Sequence, residues 1–410
     1  MTAPPPARRA LAPFKRGVYL AIWLGTLTSN MGVWIQSVGA AWLMTLITAS
    51  PDWVALVQSA STLPVFLFSL AGGLLADKVD RRLAQVAGQA VVMTAALALA
   101  LLDYLGGMTP WLLLSMTFLL GVGSAIRQPA FQASVSDLVP REEVPAAVAL
   151  NSVNFNIARA LGPGIGGLIV AAFGPPVAFM INAGCNVVTI AVLLSWRGAI
   201  APSPSRRESV LGAISAGLIQ VAQRATLRRV MARTSAFCLF AAALWALLPI
   251  VTKDDLGGTS STYGVLLGCL GFGAVLGAGL LAQLRRRVSD EALIELGSVL
   301  FALATAALAV VHGIALLMPL LMLGGVAWMI NMSTFSTTVQ LEAPGWVKAR
   351  VVAIFFMAMF GNLALGSWLW GRLAADHGVH PALLAAGALL LASLALRWRF
   401  RMPDHPTMAA

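Results

Sequence analysis

Apolar residues along this chain fall into long blocks separated by short polar breaks. The blocks cover roughly residues 18–48, 53–76, 84–104, 110–133, 144–172 and 176–196, then 230–251, 261–283, 292–311, 314–338, 348–373 and 381–398. About 20 apolar residues in a helix cross the ~30 Å hydrocarbon layer of a bilayer. The pattern therefore predicts an all-α membrane protein with twelve transmembrane helices. An even number of crossings puts both ends of the chain on one side.

Composition and charge sharpen that reading. Hydrophobic residues make up 59% of the 410, and the mean hydropathy is +0.84. A soluble domain has no use for so much apolar surface. The formal net charge of +11 would point to nucleic acid in a soluble protein, but here its distribution matters more than its size. Of the 27 lysines and arginines, 23 lie at the N-terminus, at the C-terminus or in breaks on the same side. The opposite side has only Lys253 and Arg372. Positive loops stay in the cytoplasm, so both termini are expected inside, in a multi-pass protein of the cytoplasmic (inner) membrane. The basic loops read as solvated topology signals facing lipid and water, with no nucleic-acid partner. The proline-rich, basic start MTAPPPARRALAPFKRG resembles the front of a signal peptide, but the block after it is too long for one. It reads as an uncleaved first helix. Cys185, Cys238 and Cys269 lie inside apolar blocks with no metal-ligand spacing, as small buried hydrophobes do.

The longest polar break divides the blocks six and six. Residues 197–229 begin with proline, serine and arginine. They continue as a short amphipathic stretch with Val210, Ile214, Leu218 and Val221 on one stripe, as in a helix lying at the headgroup level. The expected organisation is a six-helix bundle over 1–196, a linker over 197–229 and a second six-helix bundle with its tail over 230–410. The halves echo each other. GLLADKVDRR at 73–82 returns as GLLAQLRRRV at 279–288, an offset of 206. Pro140, Gly162 and Gly167 return as Pro344, Gly366 and Gly371, each at an offset of 204. Shared offsets point to a duplicated unit, a plan that places a transporter's substrate site between its two halves.

Within the break after the second block, five charged residues lie between Asp77 and Arg82 in a chain that is only 10% charged. The stretch GGLLADKVDRRL resembles the signature loop of the major facilitator superfamily, through Gly73, Leu75, Ala76, Asp77, Arg81 and Arg82. Asp80 stands where that pattern has glycine. The resemblance implies a two-bundle transporter in which Asp77 faces the N-terminus of the eleventh helix, where a carboxylate is worth roughly 0.3–1 kcal/mol. It also implies that Arg81 or Arg82 pairs with Asp137, as a latch that holds the cytoplasmic side shut. A solvated turn that only enforces topology is the alternative. The second-half copy has Gln283 in place of the aspartate, so the two loops differ chemically.

Residues 127–167 resemble the twelve-span branch of that superfamily that includes enterobactin-exporter-like and macrolide-efflux-like proteins. GPGIGG, with Gly162, Pro163, Gly166 and Gly167, resembles the antiporter signature of its fifth helix. Small residues let helices approach closely, and proline bends a helix by removing one hydrogen bond.

Arg159 lies midway along the fifth block, where a charge costs ~2.5–3.5 kcal/mol on insertion scales. It is expected to line a central cavity with Asn156, one turn away, or else to form a structural pair. Arg127, nearer a helix end, is expected to snorkel to the interface. Asn30, Trp34, Gln36, Gln58, Ser61 and Thr62 are further cavity candidates, with Trp245, Trp328, Asn331 and Asn362 in the second half. Trp53, Trp111, Trp196 and Trp398 read as interface anchors.

No Gly-Lys dipeptide is present, so a Walker-type phosphate loop is excluded. No catalytic constellation is apparent, and no cofactor is expected. The function implied is secondary active export of amphipathic small molecules, siderophores or drugs, by alternating access. The resemblance implies coupling to protons, although none of the sixteen acidic residues sits at the centre of a block. Uptake or lipid handling on the same fold is the alternative.

Overall fold

The computed structural model describes residues 11–78, 80–196, 210–345 and 347–402. Within these, the side chains of residues 69–79, 136, 210–211, 213–214 and 349 lie outside the described set. Every expected block is a helix. The first half contains α1 (Gly17–Ile47), α2 (Pro51–Lys78), α3 (Arg81–Tyr104), α4 (Pro110–Leu138), α5 (Val144–Phe173) and α6 (Pro175–Ser195). The shorter α7 (Val210–Gln223) follows. The second half contains α8 (Ala225–Ile250), α9 (Ser260–Leu284), α10 (Asp290–Val310), α11 (Ile314–Glu342), α12 (Lys348–His377) and α13 (Val379–Ala392). A 3₁₀ segment, Ser393–Trp398, extends α13. Among the described residues, eleven of these helices are long and apolar enough to cross a membrane, and none of the residues forms a strand. The side carrying both chain ends is called the terminal side below, and the other the distal side.

Local chemistry sets the helix ends. Asp80 caps α3 by accepting from the Arg82 amide at 2.8 Å, and Thr109 caps α4 just ahead of Pro110. A side-chain oxygen there satisfies one of the orphan donors of the first turn. Thr259 and Thr262 form a reciprocal capping box at the start of α9. The turns from α5 to α6 and from α12 to α13 each rest on one residue at positive φ, Gly174 (φ 83°) and Gly378 (φ 95°). Only glycine adopts that conformation without strain. These two also lie 204 residues apart.

The two halves use one packing scheme. In the first, α1 packs on α5 and α6, α3 on α4 and α6, and α2 on α4. In the second, α8 packs on α12 and α13, α10 on α11 and α13, and α9 on α11. Two large contacts join the halves, α2 with α12 and α5 with α9. The glycines make this possible. A Cβ on Gly162 would lie 2.5 Å from Trp34 Cβ of α1, in its own half, whereas one on Gly167 would lie 2.5 Å from the Ser260 carbonyl oxygen of α9, in the other. Gly366 and Gly371 repeat the division. Gly366 abuts the Leu239 carbonyl of α8, and Gly371 abuts Ala55 of α2. Close backbone approach through small residues is how membrane helices gain contact without a hydrophobic drive between them.

The linker differs in one respect from its expected stripe. On α7, Gly217 sits against Ile354 and Arg350 of α12, and Val221 packs toward the core, whereas Leu218 and Ile219 are exposed. The bundle-facing edge therefore runs through Gly217 and Val221, with Gly217 set close against the end of the Ile354 side chain. Residues 197–209 lie outside the described residues.

Candidate substrate site and gates

Arg159 is the charge that the fold places most usefully. The backbones of α5 and α9 touch beside it: a Cβ on Gly271 would come within 2.3 Å of the Arg159 carbonyl oxygen. From that contact the side chain crosses into the second half. Its guanidinium carbon lies 5.7 Å from the Trp245 ring centroid of α8 and 5.9 Å from that of Trp328 of α11. The two indoles meet edge to face at 5.7 Å, and Phe237 and Phe301 back Trp328 at 5.8 and 6.0 Å. A cation over an indole face gains about 0.5–1 kcal/mol, and ~2 when desolvated. Two such faces offset much of the cost of a mid-membrane charge. Arg159 Nε and the Trp245 Nε1 hydrogen are both buried without a partner. The site thus joins aromatic surface to unused donors at the junction of the halves.

The other cavity candidates are placed differently. The Asn156 amide donates back to the Ser152 carbonyl of its own helix at 2.9 Å. Asn30 donates to Asn154 Oδ1 at 3.1 Å and ties α1 to α5. Gln36 is buried inside the first half, where its Oε1 accepts from Asn182 of α6 and its Nε2 has no partner. A polar side chain between apolar helices is held by a partner across the helix contact, as Asn30 is by Asn154 and the Gln36 oxygen by Asn182. Gln58 is half-buried on α2. Asn331 is buried in the second half beside Ser298. Arg127 corrects the expectation of a snorkelling side chain. It is only 9% exposed and faces the interior of the first half. The backbone explains this: a Cβ on Gly88 of α3 would lie 2.9 Å from Arg127 Cβ, so the side chain leaves a tight crossing directed inward.

At the terminal side, Arg81 binds Asp137 at 2.8 Å and the Ala133 carbonyl at 3.0 Å. Arg82 donates instead to the carbonyls of Trp196 and Leu194. The Arg81–Asp137 pair joins α3 to α4, both in the first half, so it does not itself bridge the halves. The expected role of Gly73 and of Asp77 falls on side chains outside the described residues.

Between the halves, the described contacts run from the distal end to mid-membrane. Pro249 ends the regular part of α8, and a π turn, Val251–Asp255, carries Lys253 to the Thr45 carbonyl of α1. Trp42 of α1 stacks on Tyr263 of α9 at 6.3 Å. Ser59 of α2 donates to the Ala364 carbonyl of α12 at 2.7 Å. Deeper, Gly361 of α12 meets Phe66 of α2. Of the antiporter-like residues, Gly167 and Pro163 meet the second half, Gly167 against Ser260 and Gly264 and the Pro163 carbonyl against Gly264, whereas Gly162 and Gly166 pack on Trp34 and Ile35 of α1 in their own half.

With two pseudo-symmetric bundles and a polar and aromatic site at their junction, comparison with known proteins becomes decisive. The profile of the transmembrane secretion effector family, a branch of the major facilitator superfamily, matches residues 8–410. The chain belongs to this family. Among relatives of this transporter is the multidrug efflux pump Tap of Mycolicibacterium fortuitum, 27% identical over 92% of the chain and 94% of the pump. The staphyloferrin A transporter of Staphylococcus aureus (strain NCTC 8325 / PS 47) is 23% identical over 85% of the chain and 87% of that protein. A bacterial homologue of the human lysosomal transporter Spinster, solved inward-facing and unoccupied, shares the fold with a TM-score of 0.74. It is 14% identical over 95% of the chain and 97% of that structure. A POT family transporter bound to a thioalcohol-conjugated peptide aligns with a TM-score of 0.78 at 12% identity over 94% of the chain and 96% of that structure. The transporter is a multi-pass membrane protein and not an enzyme.

Proposed function

We propose that this transporter exports amphipathic small molecules, siderophore-like or drug-like, from the cytoplasm in exchange for protons. The observation that carries the reading is the Arg159 site. A guanidinium with an unused Nε, an indole N–H with no partner and two aromatic faces suit a ligand with a flat apolar part and an anionic group. A multidrug pump and a siderophore transporter among the relatives support the same substrate range. The terminal side is the cytoplasmic side, in keeping with the basic loops. Substrate enters from there, and the halves rock about the site so that the α5–α9 and α2–α12 contacts open distally. Asp77 and the Arg81–Asp137 pair serve the cytoplasmic gate.

The test uses inside-out membrane vesicles, labelled siderophores and macrolides, and an imposed proton gradient. Gradient-driven accumulation is expected. Replacing Arg159 with glutamine should raise KM for anionic substrates about 5–30-fold, the cost of ~1–2 kcal/mol. Accumulation that ignores the gradient removes the proton from the mechanism. Transport only in the opposite direction, measured in right-side-out vesicles, replaces export with uptake.

A further inference from the structure

The stretch TKDDLGG at 252–258 places one lysine and two aspartates directly after the apolar run of α8. A regular helix does not continue through them. Val251–Asp255 forms the π turn, closed by hydrogen bonds from the Leu256 amide to the Val251 carbonyl at 3.1 Å and from the Gly258 amide to the Thr252 carbonyl at 2.8 Å. Such turns are rare and occur often at functional sites. This one is held from two sides. Lys253 donates to the Thr45 carbonyl of α1, in the other half. Asp255 reaches instead to α13 of its own half, where its Oδ2 lies 3.1 Å from His380 Nε2. That oxygen is buried and has no other partner among the described residues.

An imidazole is the side chain whose charge changes between about pH 5 and 8. Neutral, it offers a carboxylate one ordinary hydrogen bond at most. Protonated, it gives a charge-assisted bond of roughly twice the strength. The surrounding charges do not cancel this contrast. Asp254, on the same turn, is exposed. From the α10–α11 loop, His312 comes within 6.4 Å of the His380 ring, centroid to centroid, and is itself exposed. At the end of α12, Arg372 pairs with Asp376 at 3.3 Å and His377 is exposed. The other charges of α8 and α10 lie at their terminal-side ends. The N-terminus of α13 disfavours a cation on His380, but by less than a hydrogen bond to a charged partner supplies. Both side chains are open to the distal face, His380 by 43% and Asp255 by 21%. Among the described residues no three His, Cys, Asp or Glu side chains come together to hold a metal ion, so the ligand that suits this pair is a proton.

We propose that His380 and Asp255 are a pH-sensitive latch on distal closure. A proton taken by the His380 imidazole from the distal face turns its contact with Asp255 into an ion pair. The pair pins the π turn to α13 and so holds Lys253 against α1. Loss of that proton loosens the turn, and Lys253 withdraws from Thr45. Closure is therefore favoured below the transition and weakened as pH rises through it. The latch goes beyond the export reading. It depends on neither substrate, direction of transport nor proton exchange, because it acts on the distal contact alone.

The test uses the full chain in lipid nanodiscs, without substrate or gradient. Spin labels sit on Gly107→Cys and Leu316→Cys, exposed distal positions of the two halves, with Cys185, Cys238 and Cys269 replaced by alanine. Pulsed electron paramagnetic resonance then reads the ratio of distally closed to distally open molecules. Lowering the pH from about 8 to about 5.5 should raise that ratio about three- to fivefold, in one transition. His380→Gln and Asp255→Asn should each remove the pH dependence and hold the ratio at its high-pH value. His380→Lys, which keeps a cation that does not titrate in this range, should also be flat but stay at the low-pH value. His312→Gln and His377→Gln should respond like the wild type. A wild-type ratio that does not change with pH overturns the proposal. So does a response that survives in His380→Gln, or a His380→Lys protein that stays at the high-pH ratio.

Discussion

In the first half Arg81 meets Asp137 at 2.8 Å; 204 residues later Arg285 meets the hydroxyls of Ser333 and Thr337 at 3.5 and 3.2 Å. Arg81 also reaches the carbonyl of Ala133, whose counterpart at the same offset is Thr337. One geometry is therefore built twice, charged in the first copy and neutral in the second. The crossings that hold Arg127 and Asn331 differ in the same sense. The second half, by contrast, keeps its buried charge at the terminal ends of α8 and α10. There Arg233 and Glu291 pair at 2.7 Å, and the Met402 amide donates to the same carboxylate at 2.8 Å. Duplication preserved the backbone contacts that close the halves and left the charges free to diverge. Gly162 and Gly167 recur as Gly366 and Gly371, while Gly166 recurs as Trp370, so the glycine fit is kept at some crossings and exchanged at another.

The comparison breaks most directly at the glycines. Leucine at Gly167 or at Gly371 places side-chain atoms where Ser260 or Ala55 already sits, so neither variant should complete distal closure. Transport in vesicles should fall more than about 100-fold for both, while Gly164→Leu, with open space around it, should transport normally. A normal rate for Gly167→Leu would show that the two α5–α9 backbones need not meet.

Next in size is the buried pair of the second half. Glu291→Ala leaves Arg233 buried and releases the Met402 amide, at a cost of about 3–5 kcal/mol. A melting curve should show this as a drop of several degrees. An unchanged Tm would mean that water replaces the carboxylate without loss.

The Arg81 and Arg285 contacts give a smaller contrast. Arg81→Ala should slow transport about 3–10-fold, and Arg285→Ala less than about twofold, since only the first removes an ion pair. Equal effects would erase the functional asymmetry between the halves.

The smallest effect belongs to Arg16 and Glu143, an exposed pair at 3.0 Å that joins the starts of α1 and α5. The hydrogen bond from Arg16 holds the Glu143 carboxyl below its usual pKa and raises that of Arg16. A depressed carboxylate pKa adds stability that is full above the unfolded value and lost as pH falls through the folded one. Wild type should therefore lose a slight advantage over Glu143→Gln in acid and keep it at neutral pH. Parallel melting of the two across that range would show that the pair contributes nothing.

Much of this was legible in the linear chain. Apolar blocks of membrane length fixed the number of helices, because the bilayer demands ~20 residues per crossing regardless of partners. Repeated glycines and prolines at one offset revealed the duplication, since close backbone approach leaves few residue types to choose from. A lone charge in mid-span marked Arg159, because its cost there must be met by something. The identity of that something was not written locally. Trp245 and Trp328 lie 86 and 169 residues away from Arg159 along the chain, and only the crossing of α5, α8 and α11 brings them together. Likewise Gln36 and Arg127 have the same polar character wherever they point. Whether they face a cavity, a neighbouring helix or the interface depends on helix rotation, and tertiary packing alone sets that rotation.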